Sequence, residues 1–171
     1  MNKASISLCL INPKSPQNMG SILRAAGCYG VNAIFYTGQR YARALNFATD
    51  TKNAGSDIPL SNIEDIKEHV PANTSLIAVE LVEGAQALPH FVHPENAFYL
   101  FGPEDGTIPQ AILNQCDHIL YVPTKGCMNL AATVNVLLYD RMAKSPATRY
   151  SDQIIFASRD TNNRTKAPES E

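Results

Sequence analysis

Ala97-Phe98-Tyr99-Leu100-Phe101 runs straight into Gly102-Pro103-Glu104-Asp105-Gly106. The apolar run reads as a strand, and the glycine- and proline-bearing run after it as a tight turn holding two carboxylates. Working outward, Ser75–Leu81 and His118–Val122 read as strands, with a helical stretch at Ile108–Asn114. Ser5–Asn12 alternates polar and apolar residues and is a further strand, broken by Pro13, Pro16 and Asn18. From Met19 the period becomes helical, with Ile22, Leu23, Ala26 and Tyr29 on one stripe, Asn18 as the expected N-cap and Gly27 and Gly30 flanking the end. Ala33–Tyr36 is a short buried-type strand, and Tyr41–Phe47 and Ile63–Val70 suggest short helices in a stretch that is otherwise polar. Leu130, Val134, Leu137, Leu138 and Met142 line one side of a last helix, which ends near Ser145-Pro146. Strands alternating with helices predict an α/β fold with a mostly parallel sheet.

The chain has 171 residues, 44% of them hydrophobic and 18% charged. That predicts one domain with a real core, here residues 1–146, followed by a polar tail, 147–171, whose last ten or so residues read as disordered. No apolar run approaches the roughly 18 residues of a membrane helix, and the start lacks a signal-peptide pattern, so a soluble cytoplasmic protein is expected. Cys9, Cys28, Cys116 and Cys127 show neither a CxxC pair nor zinc spacing, and His90 and His93 stand between prolines without a carboxylate motif. No metal is expected. The formal net charge is −2, but it is unevenly spread. Residues 1–56 carry six basic side chains against one acidic, 57–120 one against ten, and 121–171 seven against five. The basic head could therefore meet phosphates, and the acidic middle is expected to face elsewhere.

Phosphate-loop and dinucleotide glycine fingerprints are missing, as is the GxSxG elbow. Three strand-end loops stand out instead, at the edge where open α/β sheets bind ligands. The first, Pro16 to Arg24, offers the amide of Asn18, Gly20 and the Arg24 guanidinium; the second is Gly102 to Gly106. The third, Tyr121-Val122-Pro123-Thr124-Lys125-Gly126-Cys127-Met128-Asn129-Leu130, is another turn opening a helix.

In this order the loops resemble the three motifs of the SpoU-TrmH family of SPOUT-superfamily RNA methyltransferases, over about Ile6 to Met142. Asn18, Gly20 and Arg24 match the first motif. Gly102, Pro103, Glu104 and Gly106 match the second, and Val122, Pro123, Gly126 and Asn129 the third. The third loop departs from the family pattern: only Cys127 and Met128 separate Gly126 from Asn129, and its usual serines are missing.

The resemblance implies a parallel sheet with helices on both faces and a C-terminal trefoil knot that binds S-adenosylmethionine. Leu81, Gly102, Val122, Thr124, Gly126 and Leu130 are then the expected cofactor contacts. It implies methyl transfer to a ribose 2′-hydroxyl of tRNA or rRNA, with Arg24, Asn18, Glu104 and Asn129 as catalytic residues and Glu104 orienting Arg24 or Asn129. It also implies a homodimer, in which the basic heads of two chains, with Lys14, Arg40 and Arg43, together form one positive RNA surface. Two alternatives share the scaffold: methylation of a base nitrogen, and a non-catalytic RNA-binding or assembly protein.

Overall fold

The computed structural model describes residues 4–45 and 58–168. Among these residues seven strands form one sheet: β1 (Ile6–Leu10), β2 (Ala33–Tyr36), β3 (Leu60–Asn62), β4 (Ser75–Val79), β5 (Gln86–Ala87), β6 (Ala97–Phe101) and β7 (His118–Tyr121), in the order β3-β2-β1-β6-β4-β7-β5. Every pairing is parallel. β6 lies at the centre, and all five of its residues are buried. Its uninterrupted apolar run follows from that position, because a parallel strand covered on both faces has no solvent side on which to alternate.

The helices are α1 (Pro16–Tyr29), α2 (Arg40–Leu45), α3 (Gln110–Leu113), α4 (Leu130–Lys144) and α5 (Asp152–Ser158). Two clusters split the sheet residues by parity. Leu8, Leu10, Ile77, Val79, Tyr99 and Phe101 pack with Met19, Ile22 and Ala26 of α1 and Val134, Leu137 and Leu138 of α4. Cys9, Leu76, Ala78, Phe98 and Leu100 pack on the other face with Ile63, Ile66, Ile108 and Leu113. Each strand thus feeds both layers, as a two-residue period requires.

Ser15, not Asn18, caps α1: its hydroxyl accepts from the Asn18 N–H at 3.2 Å, and Pro16 takes the first helical position, where its missing N–H costs nothing. Gly30, at φ 69°, ends the helix in the left-handed conformation that glycine adopts without penalty. Asn129 caps α4 through its Oδ1, which accepts from Ala131 N–H at 2.8 Å and Ala132 N–H at 3.3 Å. The expected helix at Ile63–Val70 shrinks to one 3₁₀ turn, Lys67–His69. There the Asp65 carboxylate accepts the Lys67 N–H at 2.8 Å, a local bond that competes with the helical ladder. Expected helix Ile108–Asn114 begins only after Pro109, at Gln110, and expected helix Tyr41–Phe47 is α2, with Phe47 outside the described residues.

α4 is fastened to the sheet by a partly buried polar chain. Arg141 Nη1 donates to the Tyr99 hydroxyl at 3.0 Å, so that hydroxyl donates in turn to His93 Nδ1 at 2.6 Å. His93 Nε2–H then donates to Asp140 Oδ2 at 2.9 Å. Burial lowers the His93 pKa and outweighs the opposing pull of Asp140, so the imidazole is neutral. A base with a depressed folded pKa contributes stability that is complete above its unfolded value, about 6.5, and is lost as the pH falls below it. Thermal melts should therefore show Tm dropping on acidification through this window, with the drop flattened in His93→Gln; identical profiles would refute the assignment.

Candidate functional site

Register sets the location of the site. Leu10 and Val79 both pair with Phe101, and Val79 pairs with Leu120, so the carboxyl ends of β1, β4, β6 and β7 finish together. The Ile11 N–H bonds to the Phe101 carbonyl and the Glu80 N–H to the Leu120 carbonyl, which carries the order one residue further. The loops that follow enclose a cavity of about 330 Å³. Pockets of roughly this size, with apolar walls and a few converging polar groups, are the common form of small-molecule sites.

Leu81, Gly102, Val122, Thr124 and Leu130 line the cavity, and so do Asn18, Glu104, Asn129 and Lys14. Gly126 is not among the lining residues; its carbonyl accepts from Thr124 Oγ1 at 2.6 Å, which tightens the turn beside the cavity. Leu81 is 53% exposed, a large apolar side chain left uncovered at a cavity wall.

Three polar side chains from three distant segments form a directed chain. Asn129 Nδ2 donates to Asn18 Oδ1 at 3.0 Å, and Asn18 Nδ2 donates to Glu104 Oε1 at 3.2 Å. The orientation is self-consistent, because Asn129 Oδ1 is already committed to capping α4 and Glu104 offers only acceptors. Glu104 also accepts from the N–H groups of Lys14 and Ser15, at 3.0 and 3.1 Å. Burial pushes its pKa up, but its own N–H, that of Ser15, the Asn18 amide and the Lys14 N–H together outweigh burial and hold the carboxyl below its ordinary value. Since Ser15 caps α1, the Asn18 side chain is free for this chain of bonds. Each asparagine keeps one unused amide hydrogen for a ligand.

Arg24 stands apart. It is exposed two turns further along α1, in a separate depression shared with Gln17, Ser21, Cys28 and Asn135. Glu104 therefore orients Asn18, and through it Asn129, but not Arg24.

The expected separation of charge does not hold. Asp105, from the acidic middle, pairs with two of the three basic candidates: Arg40 bidentately at 2.8 and 2.9 Å, and Lys14 at 3.0 Å. Hydrogen bonds from Arg40 and then Lys14 hold its carboxyl far below the usual carboxylate range. The turn at 102–106 projects where β1 and β2 also end, so opposite charges meet at one edge. Arg43 is exposed and makes no ion pair among the described residues. Glu80, Ser15, Tyr121, Cys127, Met128 and Thr133 also line the cavity and are not among the sequence candidates. Glu80 had a readable signal, a charged residue directly after an apolar strand at the ligand edge. Among the described residues no group of three or more His, Cys, Asp or Glu is arranged to hold a metal, and no helix is long and apolar enough to cross a membrane.

The family model described as the SpoU rRNA Methylase family matches residues 5–139. No curated protein matches the chain. Among solved structures, the SpoU methyltransferase AviRb from Streptomyces viridochromogenes, in complex with AdoMet, is 19% identical, covering 87% of this chain and 61% of that one, with a TM-score of 0.68. An AdoMet-bound rRNA methyltransferase from Sinorhizobium meliloti is 20% identical over 83% of this chain and 57% of that one, at TM-score 0.68. A structure concerned with the 2-OH methylation of C/U34 on tRNA is 22% identical over 84% and 92%, at 0.67. The chain spans about three fifths of the first two. At these identities the likeness shows a shared fold.

Proposed function

The chain belongs to the SpoU rRNA Methylase family, and on that premise we propose that it transfers a methyl group from S-adenosylmethionine to a ribose 2′-hydroxyl of RNA, with tRNA the favoured substrate and rRNA the other. The observation that carries this reading is the Asn129–Asn18–Glu104 chain at a cavity that the uncovered Leu81 also lines. An exposed leucine suits the flat face of adenine, and the carboxylates and amides suit the hydroxylated, charged remainder, so the residues present fit the cofactor. Leu81, Gly102, Val122, Thr124 and Leu130 would hold it, with Gly126 supporting the turn. When bound it supplies an electrophilic methyl group on a sulfonium.

The remaining requirements fall on the protein. A ribose hydroxyl is a poor nucleophile at neutral pH, so the site must orient it and stabilise developing alkoxide charge. The spare amide hydrogens of Asn18 and Asn129 orient the ribose. Glu104, held ionised by its donors, fixes those amides and is a poor proton acceptor. The Arg24 guanidinium supplies charge to the alkoxide or the adjacent phosphate, and the proton leaves by another group or by water. Because Arg24 lies outside its own cavity, the reading includes a homodimer in which Arg24 of one copy serves the other. It also includes a single catalytic domain over 1–146, a tail over 147–171, the trefoil knot and work in the cytoplasm.

Calorimetry with S-adenosylmethionine, followed by mass spectrometry of nucleosides from tRNA and rRNA incubated with the protein, tests the proposal. Binding together with a new 2′-O-methylated nucleoside is expected. A methylated base would favour the base-nitrogen alternative, and absence of cofactor binding the non-catalytic one.

The Asp105 pairing adds a prediction for RNA affinity. Asp105→Asn removes the counter-charge of Lys14 and Arg40, so RNA should bind more tightly and its dependence on log salt should steepen by about 1 to 2. Salt titrations of the variant and the wild type measure this; equal slopes would remove Lys14 and Arg40 from the RNA surface.

A further inference from the structure

Glu80 is the first residue beyond β4, and its side chain is partly buried in the cavity wall. Its two oxygens serve two loops. Oε1 accepts from the Leu81 N–H at 2.9 Å and Oε2 from the Ile108 N–H at 2.9 Å. One carboxylate thus ties the loop after β4 to the turn that starts at Gly102. The space it occupies is space that Gly102 gives up: a Cβ on Gly102 would stand 2.8 Å from Glu80 Oε2 and 3.4 Å from Ile108 Cγ1. Gly102 is not among the glycines of positive φ, so its backbone would accept an L residue. What excludes a side chain there is the packing, above all the carboxylate.

We infer that Glu80 is a positioning residue of the cavity. It holds the Leu81 wall at a set distance from the 102–108 turn and thereby sets affinity for the nucleoside part of the cofactor. The inference rests on the methyltransferase reading. It gives Gly102 a second role beside lining the cavity: Gly102 houses the carboxylate.

Calorimetry with S-adenosylmethionine on Glu80→Ala, Glu80→Gln, Gly102→Ala and the Glu80→Ala/Gly102→Ala double variant tests it. Glu80→Ala should weaken binding about tenfold or more, the scale of two lost hydrogen bonds to a charged acceptor. The kinetic loss should appear in KM for the cofactor rather than in kcat. Glu80→Gln, which keeps one acceptor, should fall between, and it serves if alanine destabilises the fold. Gly102→Ala should weaken binding less than Glu80→Ala, because its Cβ makes the carboxylate, the tip of a flexible side chain, shift rather than removing it, and the double variant should be no weaker than Glu80→Ala alone. Wild-type affinity in Glu80→Ala, or losses that add in the double variant, would overturn the inference. If the wild type takes up no S-adenosylmethionine, the methyltransferase reading fails by itself. The tie is then judged by amide hydrogen exchange: faster exchange at Leu81 and Ile108 in a folded Glu80→Ala supports it, and unchanged exchange overturns it.

Discussion

Arg24→Ala is expected to lower methyl transfer by about 10²- to 10³-fold, the scale of removing one preorganised charge-stabilising group, while S-adenosylmethionine affinity stays at the wild-type level. The separation of the two effects follows from position. Arg24 lies outside the cavity, in the depression with Gln17 and Asn135, so cofactor contacts survive its loss. Arg24→Lys should recover little, because it keeps the charge but loses the planar fork that grips a phosphate or an alkoxide from two directions. Mixing gives a sharper result. Arg24→Ala and Asn129→Asp chains are each impaired, but in a mixed dimer one cavity retains both its own Asn129 and a partner's Arg24. Activity should therefore return on co-expression, and a mixture no better than its components would rule out service between copies.

Much of the fold was legible because its signals are local. β1 alternates, β4 and β6 are apolar runs, α1 and α4 have clean stripes, and Gly30 and Asn129 mark ends where a glycine and a capping amide belong. The missed strands carry no such signal. β3 is Leu-Ser-Asn and β5 is Gln-Ala, each at a sheet edge, each too short to alternate and formed only because a neighbour offers its backbone. The sequence of α5 reads as polar tail. Its Ile154, Ile155 and Phe156 are consecutive and exposed, so they make no stripe to recognise.

The site divides along the same line. Residue types and order pointed to Asn18, Glu104 and Asn129, but the bonds joining them span 86 and 111 residues, and nothing local encodes which amide faces which acceptor. Counting charge by segment separated a basic head from an acidic middle, yet parallel strands end at one edge and bring Asp105 to Lys14 and Arg40. The motif glycines are equivalent as letters and different as structure. A Cβ at Gly126 would meet nothing within 4 Å, whereas one at Gly102 meets a carboxylate.

Asn129 offers the cleanest separation of folding from chemistry. Its Oδ1 caps α4 and its Nδ2 holds Asn18. Asn129→Ala removes both functions and should cost about 1 kcal/mol of stability, the usual value of a lost N-cap. Asn129→Asp keeps an equally good capping oxygen, so its denaturant midpoint should stay close to that of the wild type. The aspartate, however, sets a carboxylate oxygen against Asn18 Oδ1. Acceptor then faces acceptor, and Asn18 must either turn its carbonyl toward Glu104, where another acceptor waits, or swing out of line. Both choices misplace the amides that orient the ribose, and a displacement of about 1 Å at such a site costs roughly 10²-fold in rate. Urea unfolding and transfer assays on the two variants should thus separate. The alanine form loses stability and activity together, while the aspartate form loses activity alone. An active Asn129→Asp would mean that the Asn129–Asn18–Glu104 chain serves the helix cap and not the reaction.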